Sequence, residues 1–339
     1  MEAQNYFVKA YTSEEHSNEE YHSDEEYATG SILWALLENS PAGWRYRMDE
    51  EKRKEVTLRQ KRQNPLDFGT SGHAVLLEPQ RFNDEFYRMP SQEDFKDLLT
   101  SDQAMRGWLK ERGIKGYSAM KTPELIAAIR SAGDGGRVNI WAEIFEKAQK
   151  EAGNRIQVPG EEFDKVLTMR EVIMSNGDYA DIINNGQPEI SIYCVIDGVK
   201  VKVRLDYVTP KGGLLDYKTT VSARPDLFGI QCVRMGYYLK MALQHDCFKL
   251  AYGHAPYKTS LLAQEKEYPY LCLMHNLTPP QLAVGRMLYK TALQLLAACQ
   301  RANSWPSYAN GKSEVDLETP VWFKAKFKHI FDEYEKGEK

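Results

Sequence analysis

Two hydrophobic periods divide this chain. SILWALLENSP, from residue 31, puts Ile32, Leu33, Leu36 and Leu37 on one helical face and stops at Pro41. FGTSGHAVLLEP (68–79) is a Gly-Thr-Ser-Gly turn running into a short apolar helix that ends at Pro79, with His73 in its first turn. Helical spacing recurs at about 103–111, 122–131, 141–151, 160–174, 225–244, 279–302 and 321–335. Between 189 and 220 the period falls to two, and EISIYCVID, GVKVKVRLDYV and GLLDYKTT read as strands joined at Asp197-Gly198 and TPKGG. PYLCLMHNL (269–277) is a further strand.

The 339 residues are 42% hydrophobic and 27% charged, values of an ordinary folded protein. The formal charge of -4 hides an asymmetry: residues 1–27 hold eight Asp/Glu and one Lys, which leaves the rest at +3. Any basic surface is therefore local. The first 27 residues, acidic and Tyr-rich without an apolar period, read as a flexible or loosely docked arm that would repel nucleic acid. The five cysteines are widely spaced, without a CxxC pair, and read as buried structural thiols in a reducing cytoplasm. No apolar run approaches the ~20 residues that span a bilayer.

Two basic stretches stand out. Residues 42–64 are rich in Lys and Arg and include Trp44 and Tyr46. Residues 101–137 read as a helix–extended loop–helix module with its own small core of Met105, Trp108, Leu109, Leu125, Ile126 and Ile129 and a net charge of +3. Arg106, Lys110, Arg112, Lys115 and Lys121 would supply phosphate contacts; the other reading is a helical hairpin that only packs.

RLDYVTPKGGLLDYKTT (204–220) carries the chemistry. A hairpin symmetric about Lys211 sets Asp206 opposite Asp216, with Cβ atoms roughly 4.5 to 5.5 Å apart. Two opposed carboxylates repel unless a cation intervenes, and Mg²⁺ takes one or two carboxylates while keeping waters. Lys218 projects from the face of Asp216. The same register sets Arg204 against Lys218, so the strands diverge there or the register is offset. From spacing alone, a solvated hairpin and a metal site both remain open.

Asp206, a turn, Asp216-Tyr217-Lys218 and a following helix resemble the PD-(D/E)XK nuclease superfamily. Within it, FGTSGHAVLLEP, YHSDEEYATGSILWALLENSP, PEISIYCVIDGVKVKVRLDYV and LAVGRMLYKTALQLLAACQRANSWPSY are similar to segments of the exonuclease VIII (RecE-like) group of phage and prophage recombination exonucleases. The resemblance covers about residues 21–308. It is interrupted by 101–137 and implies an α/β fold with a mixed central sheet flanked by helices, formed by 28–100 and 138–339; the inserted module 101–137 separately resembles SAP/HeH-type DNA-binding motifs.

What the resemblance implies for function is a Mg²⁺-dependent, Mn²⁺-tolerant 5′→3′ exonuclease of double-stranded DNA ends, in the host cytoplasm, with a single-strand annealing protein as partner and a ring-shaped homo-oligomer. Asp206 and Asp216 become metal ligands, joined by the Tyr217 carbonyl, His73 and Glu189, and Lys218 the catalytic lysine. His73 by itself reads as a capping or core-edge histidine. Thr219, Arg45 and Arg47 would meet phosphate, the two arginines at a terminal 5′ phosphate, with Trp44 and Tyr46 stacking on the duplex end. One departure stands in the helix after D-x-K, where the group's GY-x-x-Q has Lys240 in place of Gln; Gln231 is a candidate substitute. The alternatives are an endonuclease of the superfamily and a weakened DNA-binding relative.

Overall fold

The computed structural model describes residues 8–58 and 68–337, so the last part of the basic stretch, 59–64, lies outside the described residues. Its centre is a six-stranded sheet of β1 (Val8–Tyr11), β2 (Gln187–Ile196), β3 (Val199–Val208), β4 (Leu214–Thr220), β5 (Thr259–Glu265) and β6 (Cys272–Asn276), adjacent in that order. All neighbours are antiparallel except β4 and β5. The sheet is therefore mixed, with its crossover after the D-x-K strand.

Helices cover both faces, among them α1 (Asn18–Ser23), α2 (Gly30–Glu38), α3 (Pro41–Leu58), α4 (Phe68–Leu77), α7 (Pro225–Arg234), α8 (Tyr237–Tyr252) and α9 (Pro279–Ala302); α5 (Asp102–Glu111) and α6 (Thr122–Ser131) pack on each other apart from the sheet, and two short helices, Val321–Lys326 and Lys328–Gly337, stand at the end. Leu33, Leu36, Leu239, Leu243 and Leu293 from α2, α8 and α9 share a core with Ile192, Val201, Val203 and Leu205. Leu76 and Leu77 of α4 pack with Tyr207, Leu215, Tyr217 and Leu262 on the other side. The fold is α/β with the sheet between helical layers.

The hairpin register is the symmetric one, Tyr207↔Leu215 and Val208↔Leu214, around a loop closed by the Gly212 N–H to the Thr209 carbonyl at 2.8 Å. Pairing stops there. Instead of facing Asp216 across a ladder, Asp206 Oδ2 accepts the Tyr217 N–H at 3.1 Å, and β4 runs on beside β5 to Thr220↔Glu265. Continued pairing would have opposed two carboxylates and then Arg204 and Lys218, two like-charge contacts that a sheet avoids. The result is a fork between β3 and β4.

Two expectations change. From Val8 onward the arm is docked: β1 pairs with β2, and Tyr11, His16, Tyr21 and Tyr27 gather around Tyr193. Lys200 meets Glu26 at 2.5 Å, while the Lys202 ammonium donates to the carbonyls of Tyr21 and Asp24. The acidic run looked solvated because its cations lie some 180 residues later. The second change is that 225–244 is two helices, broken at Gly236, where φ is +65° and an added Cβ would stand 2.2 Å from the Trp34 ring, so a side chain is excluded.

In the module, Met105, Leu109, Leu125 and Ile129 of α5 and α6 share a small core with Ile140. Much of its positive charge is spent internally: Arg106 donates to the Met120 carbonyl, Arg112 pairs with Asp134 at 2.7 Å, and Arg130 pairs with Glu143. Lys110, Lys115 and Lys121 are exposed. All five cysteines are free thiols, and all but the half-buried Cys272 are buried. Among the described residues no helix is long and apolar enough to cross a membrane.

Candidate active site

The fork holds a cavity of about 230 Å³. Arg204 and Asp206 line it from β3, Asp216 and Lys218 from β4, Lys240, Met241 and Gln244 from α8, and Thr29, Gly30 and Ser31 from the start of α2. Strand alternation sets Asp216 and Lys218 on the side facing α8, while Leu215 and Tyr217 turn to the α4 core. His73 comes from α4, which reaches β4 closely because Gly72 lies against the Tyr217 ring; the His73 ring meets that of Tyr217 edge-on at 5.2 Å.

Charge is concentrated there. The Lys218 ammonium forms an ion pair with Asp216 Oδ2, lies 3.5 Å from Asp206 Oδ2, and donates to the Tyr217 carbonyl at 3.1 Å. His73 Nδ1 is also 3.5 Å from Asp206 Oδ2. Burial, then the neighbouring Asp206 charge, raises the Asp216 carboxyl above the usual carboxylate range, against the pull of Lys218. Burial works against the Lys218 charge, but Asp206 and Asp216 outweigh it and hold the ammonium more firmly than in a free lysine. Glu189 is pushed up to about 7 by burial and by Asp206, although it pairs with Arg204.

The remaining residues divide. Glu189 stands beside the cluster, in a left-handed backbone conformation with φ +55°, held by Arg204. Lys240 lines the cavity next to Gly30, and burial followed by the Lys218 charge lowers its pKa. Gln231 accepts from the Thr220 hydroxyl at 2.6 Å. Thr219 is not brought to the carboxylates, since alternation turns it toward Gly72 on α4. Arg45 lies over the Trp305 ring, 3.4 Å from Asp49, and neither it nor Arg47 lines the cavity. Trp44 is buried against Trp305 at 5.2 Å, so it is not presented to a duplex end.

Gln244 was not singled out by the sequence reading. Its Nε2 lies 3.4 Å from Asp216 Oδ1. The available signal was spacing: Gln244 follows Lys240 by four residues, one helical turn, on the same face. Lys240 and Gln244 thus line the cavity one turn apart on α8.

Two carboxylates share one ammonium here, leaving negative charge that a divalent cation can compensate. The donors fit a hard ion: Asp206, Asp216 and the Tyr217 carbonyl are all oxygen ligands, and magnesium takes few protein ligands while keeping its waters. No group of three His, Cys, Asp or Glu side chains positioned to hold a metal occurs among the described residues. A cation would therefore rest on the two aspartates and the main-chain oxygen, with His73 beside Asp206.

A mixed sheet carrying Asp206, Asp216 and Lys218 at the point where two strands part defines a PD-(D/E)XK-type α/β domain. The family model described as "PDDEXK-like domain of unknown function (DUF3799)" matches residues 45–317, and the chain belongs to that family. A crystal structure from Eubacterium rectale described as "Putative exonuclease" aligns with 70% of this chain and 95% of its own, at 13% identity and a TM-score of 0.40. No curated protein matches the chain.

Proposed function

We propose that this protein is a divalent-metal-dependent deoxyribonuclease acting as a 5′→3′ exonuclease on double-stranded DNA ends, with Mg²⁺ as its ion and Mn²⁺ able to replace it. The carrying observation is the convergence of Asp206, Asp216 and Lys218 in one cavity of a PDDEXK-like domain. The bound ion supplies Lewis-acid stabilisation of phosphate charge and lowers the pKa of its water. Asp206 and Asp216 hold the ion and are themselves oriented, Asp206 by the Tyr217 N–H and Asp216 by Gln244. The protonated Lys218 is a donor for the attacking water or a non-bridging phosphate oxygen, where charge develops. Lys240 adds a further cation to the same cavity. The annealing-protein partner and the ring-shaped assembly belong to this reading by resemblance.

Incubation of 5′-phosphorylated linear duplex with the native chain tests it: Mg²⁺-dependent release of nucleotides is expected, abolished by chelation. No release with Mg²⁺ or Mn²⁺ would sink the reading, and equal attack on covalently closed DNA would turn it into an endonuclease. Gln244→Ala is expected to slow release about tenfold, the worth of one hydrogen bond to a charged group. Gln244→Glu, which sets a third carboxylate against Asp216, is expected to slow it further. Initial rates at saturating Mg²⁺ check both.

A further inference from the structure

The fork is closed at its far end by residues outside the matched family region, and the closure is negatively charged. Once β4 leaves β3, the exposed edge of β3 is taken by Ala28, whose N–H donates to the Lys200 carbonyl at 2.9 Å and whose carbonyl accepts the Lys202 N–H at 3.0 Å. The stretch before it, 12–26, holds seven Asp/Glu and no Lys or Arg. Tyr21, Thr29, Gly30 and Ser31 of this segment form one wall of the cavity.

The way it is anchored matters. Lys200, Lys202 and Arg204 alternate along β3 towards Asp206, a track about 20 Å long at ~3.3 Å per residue. A phosphate backbone leaving the site along β3 would need that track, and the protein's own segment occupies it. Lys200 is paired with Glu26, the 3% exposed Lys202 donates to the carbonyls of Tyr21 and Asp24, and Arg204 Nη1 donates to the Ser17 carbonyl at 3.3 Å. Main-chain oxygens thus hold the Lys202 ammonium and one nitrogen of Arg204, whose Nε pairs with Glu189, while Glu14, Glu15, Glu19 and Glu20 stay exposed on the outside.

We propose that residues 12–31 are an acidic end wall that makes the fork a blind cleft and so decides its substrate class: DNA with a free end. This deepens the nuclease reading and rests on it. A continuous strand brings about one charge per 3.4 Å beyond the site, and along the β3 track it would run against the segment that carries these carboxylates. A strand that ends in the cleft avoids them. Selectivity for ends is then an electrostatic and steric property of this segment.

The test is equilibrium binding, by fluorescence anisotropy with Ca²⁺ in place of Mg²⁺, of a short duplex with open ends and of the same duplex closed by a hairpin loop at each end. The native chain is expected to bind the open duplex about tenfold tighter, and the variant Glu14→Gln, Glu15→Gln, Glu19→Gln, Glu20→Gln to lose most of that ratio by gaining affinity for the closed one. Glutamine keeps the hydrogen bonds of Glu15 to Thr12 and Glu20 to Ser17, and circular dichroism checks the fold. The control Glu314→Gln, Asp316→Asn, Glu318→Gln removes exposed charge elsewhere and is expected to keep the ratio. Equal binding of both duplexes by the native chain, a ratio that survives in the wall variant, or an equal loss in the control overturns the end wall. An end preference that the wall variant loses, with no hydrolysis in Mg²⁺, supports the wall while the nuclease reading fails.

Discussion

Lys218→Met is expected to lower Mg²⁺-dependent release of nucleotides about 10³-fold, within the range measured for removing one charged donor from a transition state. The side chain replaced is three-quarters buried, ion-paired with Asp216 and 3.5 Å from Asp206. Its ammonium is held by the two carboxylates, so what is lost is a fixed positive donor at the place where phosphate charge grows. Methionine keeps the volume and removes the charge. Asp216→Asn is expected to be as severe for a different reason, since it keeps shape and removes a negative ligand, and it should also raise the Mg²⁺ concentration needed for half-maximal rate. Single-turnover rates at several Mg²⁺ concentrations check both; native rates in either variant would exclude Lys218 and Asp216 from the chemistry.

Gly285→Ala is expected to destabilise the protein by about 3 kcal/mol, the upper part of the range for overpacking a core. A Cβ at Gly285 would stand 1.9 Å from the Tyr238 carbonyl oxygen and 2.8 Å from the Ala242 Cβ. The first is backbone and cannot rotate aside, so α8 and α9 must separate. Because α8 carries Lys240 and Gln244 into the cavity, turnover should fall together with the melting temperature. Gly229→Ala in α7 has nothing within 4 Å and should instead gain up to about 1 kcal/mol, the helix-propensity difference between the two residues. Thermal unfolding of the two variants side by side tests the sign as well as the size.

Local pattern carried much of the architecture. The helices Thr122–Ser131, Gly160–Met174 and Pro279–Ala302 lie where apolar spacing and Pro or Thr starts place them. β2 and β3 follow the alternation of EISIYCVID and GVKVKVRLDYV to within a few residues. β5 was not legible, because a strand buried along almost its whole length shows no alternation to separate it from a helix core. The break at Gly236 was hidden for a related reason: the apolar period continues through it, and what demands glycine there is Trp34, 202 residues earlier.

The candidate site divides along the same line. The sequence by itself determined the chemical inventory, Asp206, Asp216 and Lys218 around a TPKGG turn, because side-chain period and loop length are local properties, while it left the register open. Only the tertiary structure decided that the strands part at Asp206, that Gln244 reaches Asp216, that Trp44 is spent on Trp305, and that the segment before α2 docks on β3 and lines the cavity through Tyr21 and Thr29. Each of these joins residues tens to hundreds of positions apart, and such pairs are chosen by packing and charge compensation in three dimensions, of which a one-dimensional pattern holds no record.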